Sequence, residues 1–109
     1  MKLTPIPKQL LTESVTVRVP VPDDYGLAWG EPQRLDHVRV ETAESLALKG
    51  FALTDGTKAM LYIDGIHSTG CKSFPPTSLV EWQGQELAAA SVTPYGIGGV
   101  IHHWEVTLK

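Results

Sequence analysis

The chain has 109 residues, enough for one domain with a core of its own but not for two. Nine Lys and Arg residues stand against twelve Asp and Glu residues, and this formal net charge of −3 argues against a protein whose main task is to grip nucleic acid. Cys71 has no second cysteine to pair with, so we expect the protein in a reducing compartment. Cys71 itself is expected to be a small, semi-buried apolar side chain.

Residues 1–11 are interpreted as an extended N-terminal arm. Pro5 and Pro7 fix a stiff, extended backbone ahead of residues 9–11, which form either a short helical turn or the rest of the arm. The segment lacks the apolar run of a signal peptide, and no later run reaches the length of a transmembrane span. We therefore expect a soluble protein that is not exported.

Alternating apolar residues predict the first two strands. Val15, Val17 and Val19 alternate with polar residues, and Val38 and Val40 repeat this pattern. Residues 20–26 contain two prolines and an Asp-Asp-Tyr-Gly run, which is typical of a turn that ends the first strand.

Residues 42–57 form a long loop or arm between the second and third predicted strands. The segment is too apolar for an ordinary solvated loop, while its two glycines exclude one long helix. Large apolar side chains are costly to expose permanently, so these residues are expected either to contact another chain or to cap an open end of the fold. The candidate residues are Leu46, Leu48, Lys49, Phe51, Leu53 and Asp55.

The third predicted strand, residues 58–64, is apolar on both faces. Such a strand needs cover on both sides, either from its own domain or from another chain. Val80 and Trp82 flank Glu81 in the fourth strand, and residues 83–85 form a short hairpin turn into a strand over residues 86–92. Residues 93–99 are interpreted as a flexible hairpin connection.

Residues 100–109 alternate strongly and predict a strand that pins the end of the chain in the sheet, with Val100, Trp104, Val106 and Leu108 on one face. Together these patterns predict an all-β fold, a small single-domain β-barrel or sandwich of about six antiparallel strands over residues 1–109. The expected core residues are Val17, Val38, Leu61, Val80, Trp82, Trp104 and Val106.

The sequence offers little chemistry for catalysis. His102 and His103 are neighbours on a predicted strand, so their side chains are expected on opposite faces and cannot share a metal ion. The chain lacks the His-Glu-x-x-His and CxxC spacings, and the glycines near Ser68 and Ile97 do not match a phosphate-binding loop. We assign no catalytic, cofactor-binding or metal-binding residue and expect a protein that is not an enzyme.

The order of the segments resembles the tailed-phage putative minor capsid protein family. The resemblance covers nearly the whole chain and is carried by PIPKQLL at 5–11, DYG at 24–26, VRVE at 38–41, YID at 62–64, VEWQGQE at 80–86 and HHWEV at 102–106. Small proteins of this family resemble head-closure or stopper proteins of the head–tail connector. In stopper proteins a loop between the second and third strands closes the channel. The resemblance therefore implies that the candidate residues of 42–57 form a ring interface or a channel loop, on an arm that is mobile in the free subunit and ordered in the ring.

The resemblance implies a structural subunit of a ring around the DNA channel between portal and tail, located in the virion and assembled in the host cytoplasm. The implied partners are other connector subunits, a portal or adaptor ring and tail proteins, with non-specific passage of DNA and without a membrane or cofactor. The alternative is a free-standing small-barrel module that binds a peptide or nucleic acid. Such a module needs clustered aromatics or a basic stripe, whereas Tyr25, Trp29 and Tyr95 are scattered over predicted turns.

Overall fold

A computed structural model describes residues 4–23, 26–53 and 55–109. A 3-10 helical turn at Lys8–Leu10 precedes the first strand. The strands and the helix that follow are β1 (Glu13–Arg18), β2 (Pro20–Asp23), β3 (Gly26–Trp29), β4 (Gln33–Thr42), α1 (Ala43–Leu48), β5 (Ala59–Asp64), β6 (Thr69–Gly70), β7 (Leu79–Trp82), β8 (Gln85–Ile97) and β9 (Val100–Leu108). The all-β class predicted from the sequence is confirmed.

Six of these strands form a closed antiparallel barrel. They follow the order β1-β7-β8-β9-β5-β4, and β4 closes the circle by pairing with β1. Val15 lies opposite Leu35 in this closing pair. The short strand β6 adds to β4 outside the barrel, while β2 and β3 form a separate hairpin. The sequence predicted a barrel or a sandwich of about six antiparallel strands, and the structure confirms the barrel.

Side chains that alternate along the barrel strands fill its interior. Of the predicted core residues, five are fully buried, namely Val17, Val38, Leu61, Val80 and Val106. Trp82 and Trp104 were expected in the core as well; they are half-buried and pack against it. The remaining buried members of the core are Val15, Leu35, Ala59, Ile63, Phe74, Leu87, Ala89 and Leu108.

Strand β5 is covered on both faces, as its sequence requires. Leu61 and Ile63 point into the barrel and are fully buried. On the outer face Met60 and Tyr62 are half-buried, and Asp64 is fully buried. Part of this outer cover comes from the same chain, because the backbone of Ile6 contacts the Asp64 carboxylate.

The β8–β9 hairpin differs from the flexible connection expected over residues 93–99. Strand β8 continues to Ile97, and Gly98 and Gly99 form the turn, both with positive φ. Pro94 is tolerated because β7 pairs with residues 85–88 of β8, so Pro94 lies past that ladder on an open edge. The hairpin thus extends beyond the barrel, and Val100, which was expected on the core face, is 56% exposed.

The predicted turn over residues 20–26 contains regular structure. Strand β2 pairs with β3, with Val21 opposite Ala28, and Gly30 N–H donates to the Val19 carbonyl at 2.8 Å. Prolines are compatible with this ribbon because a two-stranded hairpin has two edges that need no ladder partner. Residues 24 and 25 of the family motif lie outside the described part of the chain.

Truncating a core side chain tests the barrel. We expect Leu61→Ala to lower the free energy of unfolding by about 2–5 kcal/mol, because it removes a fully buried side chain and leaves a cavity. Leu48→Ala is the matched control, since Leu48 is 85% exposed, and its effect should stay within about 0.5 kcal/mol. Urea denaturation of both variants measures the difference, and equal losses would contradict the described core.

Candidate assembly surfaces

Helix α1 fixes the first part of the loop predicted between the second and third strands. Thr42 caps the helix by accepting a hydrogen bond from Ser45 N–H at 3.3 Å. Leu46 is buried, so this candidate contact residue anchors the segment to the barrel. Lys49 Nζ donates to the Glu41 carboxylate at 2.9 Å, and this bond, together with Arg39, lowers the pKa of Glu41.

The other candidate residues of this segment lie at the protein surface. Leu48 and Phe51 are largely exposed, Leu53 is half-buried, and Lys49 and Asp55 are exposed. We call these five residues the loop surface. The structure therefore brings five of the six predicted residues to one exposed segment and places Leu46 beneath it as an anchor.

A second apolar surface lies at the tip of the β8–β9 hairpin. Its members Tyr95, Ile97, Val100 and Ile101 are all exposed, and we call them the hairpin surface. Gly96 is required here because a Cβ would collide with the carbonyl oxygen of Val100. Reasoning from the sequence missed this surface, although a Gly-Gly pair between β-branched residues is a signal for a tight hairpin turn.

The two surfaces lie at opposite ends of β9. Leu108 pairs with Ala59, where the chain enters the barrel after the loop surface. Val100 and Ile97 form the opposite end of the same strand, next to the turn. The barrel therefore lies between the two apolar surfaces.

A buried carboxylate holds the N-terminal segment against the barrel. Asp64 Oδ1 accepts a hydrogen bond from Ile6 N–H at 2.9 Å, and Oδ2 accepts from Ile66 N–H at 2.9 Å and His67 N–H at 2.7 Å. Asp64 N–H in turn donates to Ser68 Oγ at 2.8 Å. Burial opposes ionisation, but the three N–H donors outweigh it, and the pKa of Asp64 lies below its ordinary value.

His102 and His103 do not point to opposite faces, as their adjacency had suggested. The ladder shifts register between Tyr95 and Gly96, so that His102 is skipped in the pairing and forms a bulge. The two rings meet at an interplanar angle of 86°, with 2.8 Å between their Nδ1 atoms. The expectation was wrong because strict alternation fails at a bulge.

The described residues present few features of a reactive site. Burial raises the pKa of the Cys71 thiol, which keeps the thiol protonated. No group of three or more His, Cys, Asp and Glu side chains suited to a metal ion occurs in the described ranges. No helix in the described ranges is long and apolar enough to cross a membrane.

Replacing the buried carboxylate tests its role. Asp64→Asn removes a charge and leaves one oxygen for three N–H donors, so we expect a loss of about 2–3 kcal/mol in the free energy of unfolding near neutral pH. A carboxyl group whose pKa is lowered by folding stabilises the protein at pH values above its unfolded-state pKa. This stabilisation is lost as the pH falls through the folded-state pKa of the group. The difference from wild type should therefore shrink below about pH 4.

Urea denaturation at several pH values measures this difference, with the exposed Asp55→Asn as the matched control. The control should change the free energy of unfolding by less than about 0.5 kcal/mol. A loss for Asp64→Asn that is the same at every pH would contradict the stabilising role of the ionised carboxylate.

Comparison with known proteins agrees with this picture of a structural barrel. A family model described as "Minor capsid protein" matches residues 7–108, which is nearly the whole chain. Comparisons with curated proteins and with solved structures gave no match. Membership of this family implies a structural role and a place in the virion. The chain belongs to the phage minor capsid protein family.

Proposed function

We propose that this minor capsid protein is a subunit of the head–tail connector, a head-closure or adaptor ring around the DNA channel between portal and tail. The observation that carries the proposal is the pair of exposed apolar surfaces at opposite ends of β9. A ring subunit contacts neighbours within its ring and also the layers above or below, and so needs more than one contact surface.

The spacing of the surfaces suits simultaneous contacts. Val100 and Leu108 are eight residues apart on β9, which at about 3.3 Å per residue corresponds to roughly 26 Å. This distance exceeds what one side-chain contact bridges. In our proposal the loop surface faces the channel or a ring neighbour, and the hairpin surface contacts another chain of the connector.

The charge distribution supports a ring that lets DNA pass without binding it tightly. Arg34 pairs with Asp36 at 2.7 Å, and Arg39 and Lys49 both pair with Glu41 at 2.9 Å. Basic side chains that are neutralised in this way contribute little to phosphate binding, and the net charge of −3 repels the DNA backbone. These ion pairs also disfavour the alternative of a nucleic-acid-binding module.

The anchored loop supports a contact role for the segment at 42–57. Leu46 is buried and the cap at Thr42 fixes the start of α1, so Leu48 and Phe51 are presented outward from a defined base. Apolar side chains that are exposed in the free subunit lose contact with water when a partner covers them. The gain on assembly is about 25 cal/mol for each Å² of apolar area buried.

Charged substitutions at the two surfaces test the proposal. We expect Phe51→Asp and Ile97→Asp to fold like wild type, because both side chains are exposed, but to fail in the encoding phage and leave heads without tails. Val21→Asp is the control, since Val21 is also exposed but lies on the β2–β3 hairpin. Thermal melts check folding, and plaque counts and electron micrographs check assembly.

Native mass spectrometry with the cognate portal ring gives the corresponding result in vitro. Wild type and Val21→Asp should bind the portal or assemble into a ring, and at least one of the surface variants should lose this ability. Wild-type plaque counts with both surface variants would overturn the proposal.

A further inference from the structure

The N-terminal segment is attached to the barrel through its backbone. Thr4 O accepts a hydrogen bond from His102 Nε2 at 2.5 Å, and Ile6 O accepts one from His67 Nδ1 at 3.0 Å. Ile6 N–H donates to Asp64 at 2.9 Å. Residues 4–7 have no regular secondary structure, so these side-chain contacts fix their position.

Hydrogen-bond geometry sets the number of protons on the His102–His103 pair. The Thr4 carbonyl can only accept, so His102 Nε2 must carry a hydrogen. The Glu105 carboxylate, 2.9 Å from His103 Nε2, also accepts only, so that nitrogen must carry one too. The 2.8 Å contact between the two Nδ1 atoms needs one further hydrogen, located on one of the rings. The closed arrangement therefore holds three hydrogens on four ring nitrogens.

Three hydrogens correspond to one neutral and one cationic ring. Two neutral rings carry two hydrogens and leave one of the three contacts without a donor. Two cationic rings carry four hydrogens. Both Nδ1 atoms then carry one, although the 2.8 Å between them leaves room for a single hydrogen. We propose that His102 and His103 form a latch with a single shared positive charge, which holds the N-terminal segment closed within a limited pH window.

The surrounding groups favour one positive charge. Glu105 contacts His103 directly, and the Tyr95 ring stacks on His103 with a centroid distance of 5.1 Å and an interplanar angle of 11°. Tyr62 stays neutral because burial first, and the charge of Glu105 second, raise its pKa. Three other charged or titratable groups lie near the pair. Asp64 is paired with His103 across the strands, and His67 lies beside Asp64. Lys72 Nζ donates to the Gly65 carbonyl at 3.0 Å.

The latch opens from the Thr4 end. Ile6 stays attached through Asp64, whose low pKa keeps it ionised, and through His67, whose Nδ1 can donate in both the neutral and the cationic ring.

His102 differs from His67 because its second ring nitrogen lies 2.8 Å from His103, which Glu105 and the Tyr95 ring hold in place. With one hydrogen fewer, His102 gives up either this contact or the bond to Thr4. With one hydrogen more, the two Nδ1–H groups push the His102 ring away, and the backbone at Thr4 is freed beside the base of the hairpin surface. Adding a hydrogen to the closed pair or removing one therefore opens the latch, and a pH titration can do both. The latch goes beyond the connector role and does not depend on it.

Nitrogen-15 NMR of the histidine rings in the full-length protein tests the latch. While Thr4 is hydrogen-bonded, we expect three of the four ring nitrogens of the pair to be protonated, and neutral and cationic histidines have distinct ring shifts. The carbonyl carbon shift of Thr4 should move away from its hydrogen-bonded value on both the acidic and the alkaline side. His37→Asn keeps the backbone carbonyl that accepts from Ser68 and lies at a positive-φ position that Asn tolerates, so it should leave this profile unchanged.

His102→Gln is the decisive variant, because the glutamine amide can donate to Thr4 O without titrating. In this variant the Thr4 shift should lose its pH dependence between about pH 5 and pH 8. Two neutral rings while Thr4 is hydrogen-bonded, or a Thr4 shift in wild type that does not respond to pH, would overturn the proposal. Because wild type alone gives this answer, the test holds even if a variant fails to fold.

Discussion

The pairing of β1 with β4 is the interaction on which the rest of the structure depends, because it turns an open sheet into a closed barrel. Its register shifts at His37, which has a φ of 58° and is skipped in the ladder. The His37 carbonyl accepts from Ser68 Oγ at 2.5 Å, and Ser68 accepts from Asp64 N–H. The bulge, the turn after β5 and the N-terminal segment therefore share one polar network centred on Asp64.

Closure leaves two apolar surfaces at the ends of the barrel, and these are the contact sites that we propose. The sides of the barrel are hydrogen-bonded from strand to strand, whereas β8 continues past β7 and the chain between β4 and β5 leaves the sheet. These two extensions carry the hairpin surface and the loop surface. A rigid barrel with apolar extensions at both ends fits a protein that joins other chains in a virion, the setting that membership of the minor capsid protein family implies.

The barrel could be predicted from the sequence because strict alternation marks half-buried strands, as in Val15 and Val17 of β1 and in Val106 and Leu108 of β9. The outer half of β8 could not, because Pro94 normally signals the end of a strand and is harmless here on an open edge. The contact between His102 and His103 depends on a bulge, and a bulge is set by the neighbouring strand. Of the candidate site, the apolar loop could be identified from the sequence. The hairpin surface could not, because Pro94 suggested that the strand ends before it.

A cryo-EM reconstruction of the neck of the virion tests the central claim most directly. We expect density for this barrel in a ring between portal and tail, with Phe51 of the loop surface and Ile97 of the hairpin surface each covered by another chain or facing the channel. A barrel located elsewhere in the virion, or one in the neck with both surfaces open to bulk solvent outside the channel, would contradict it.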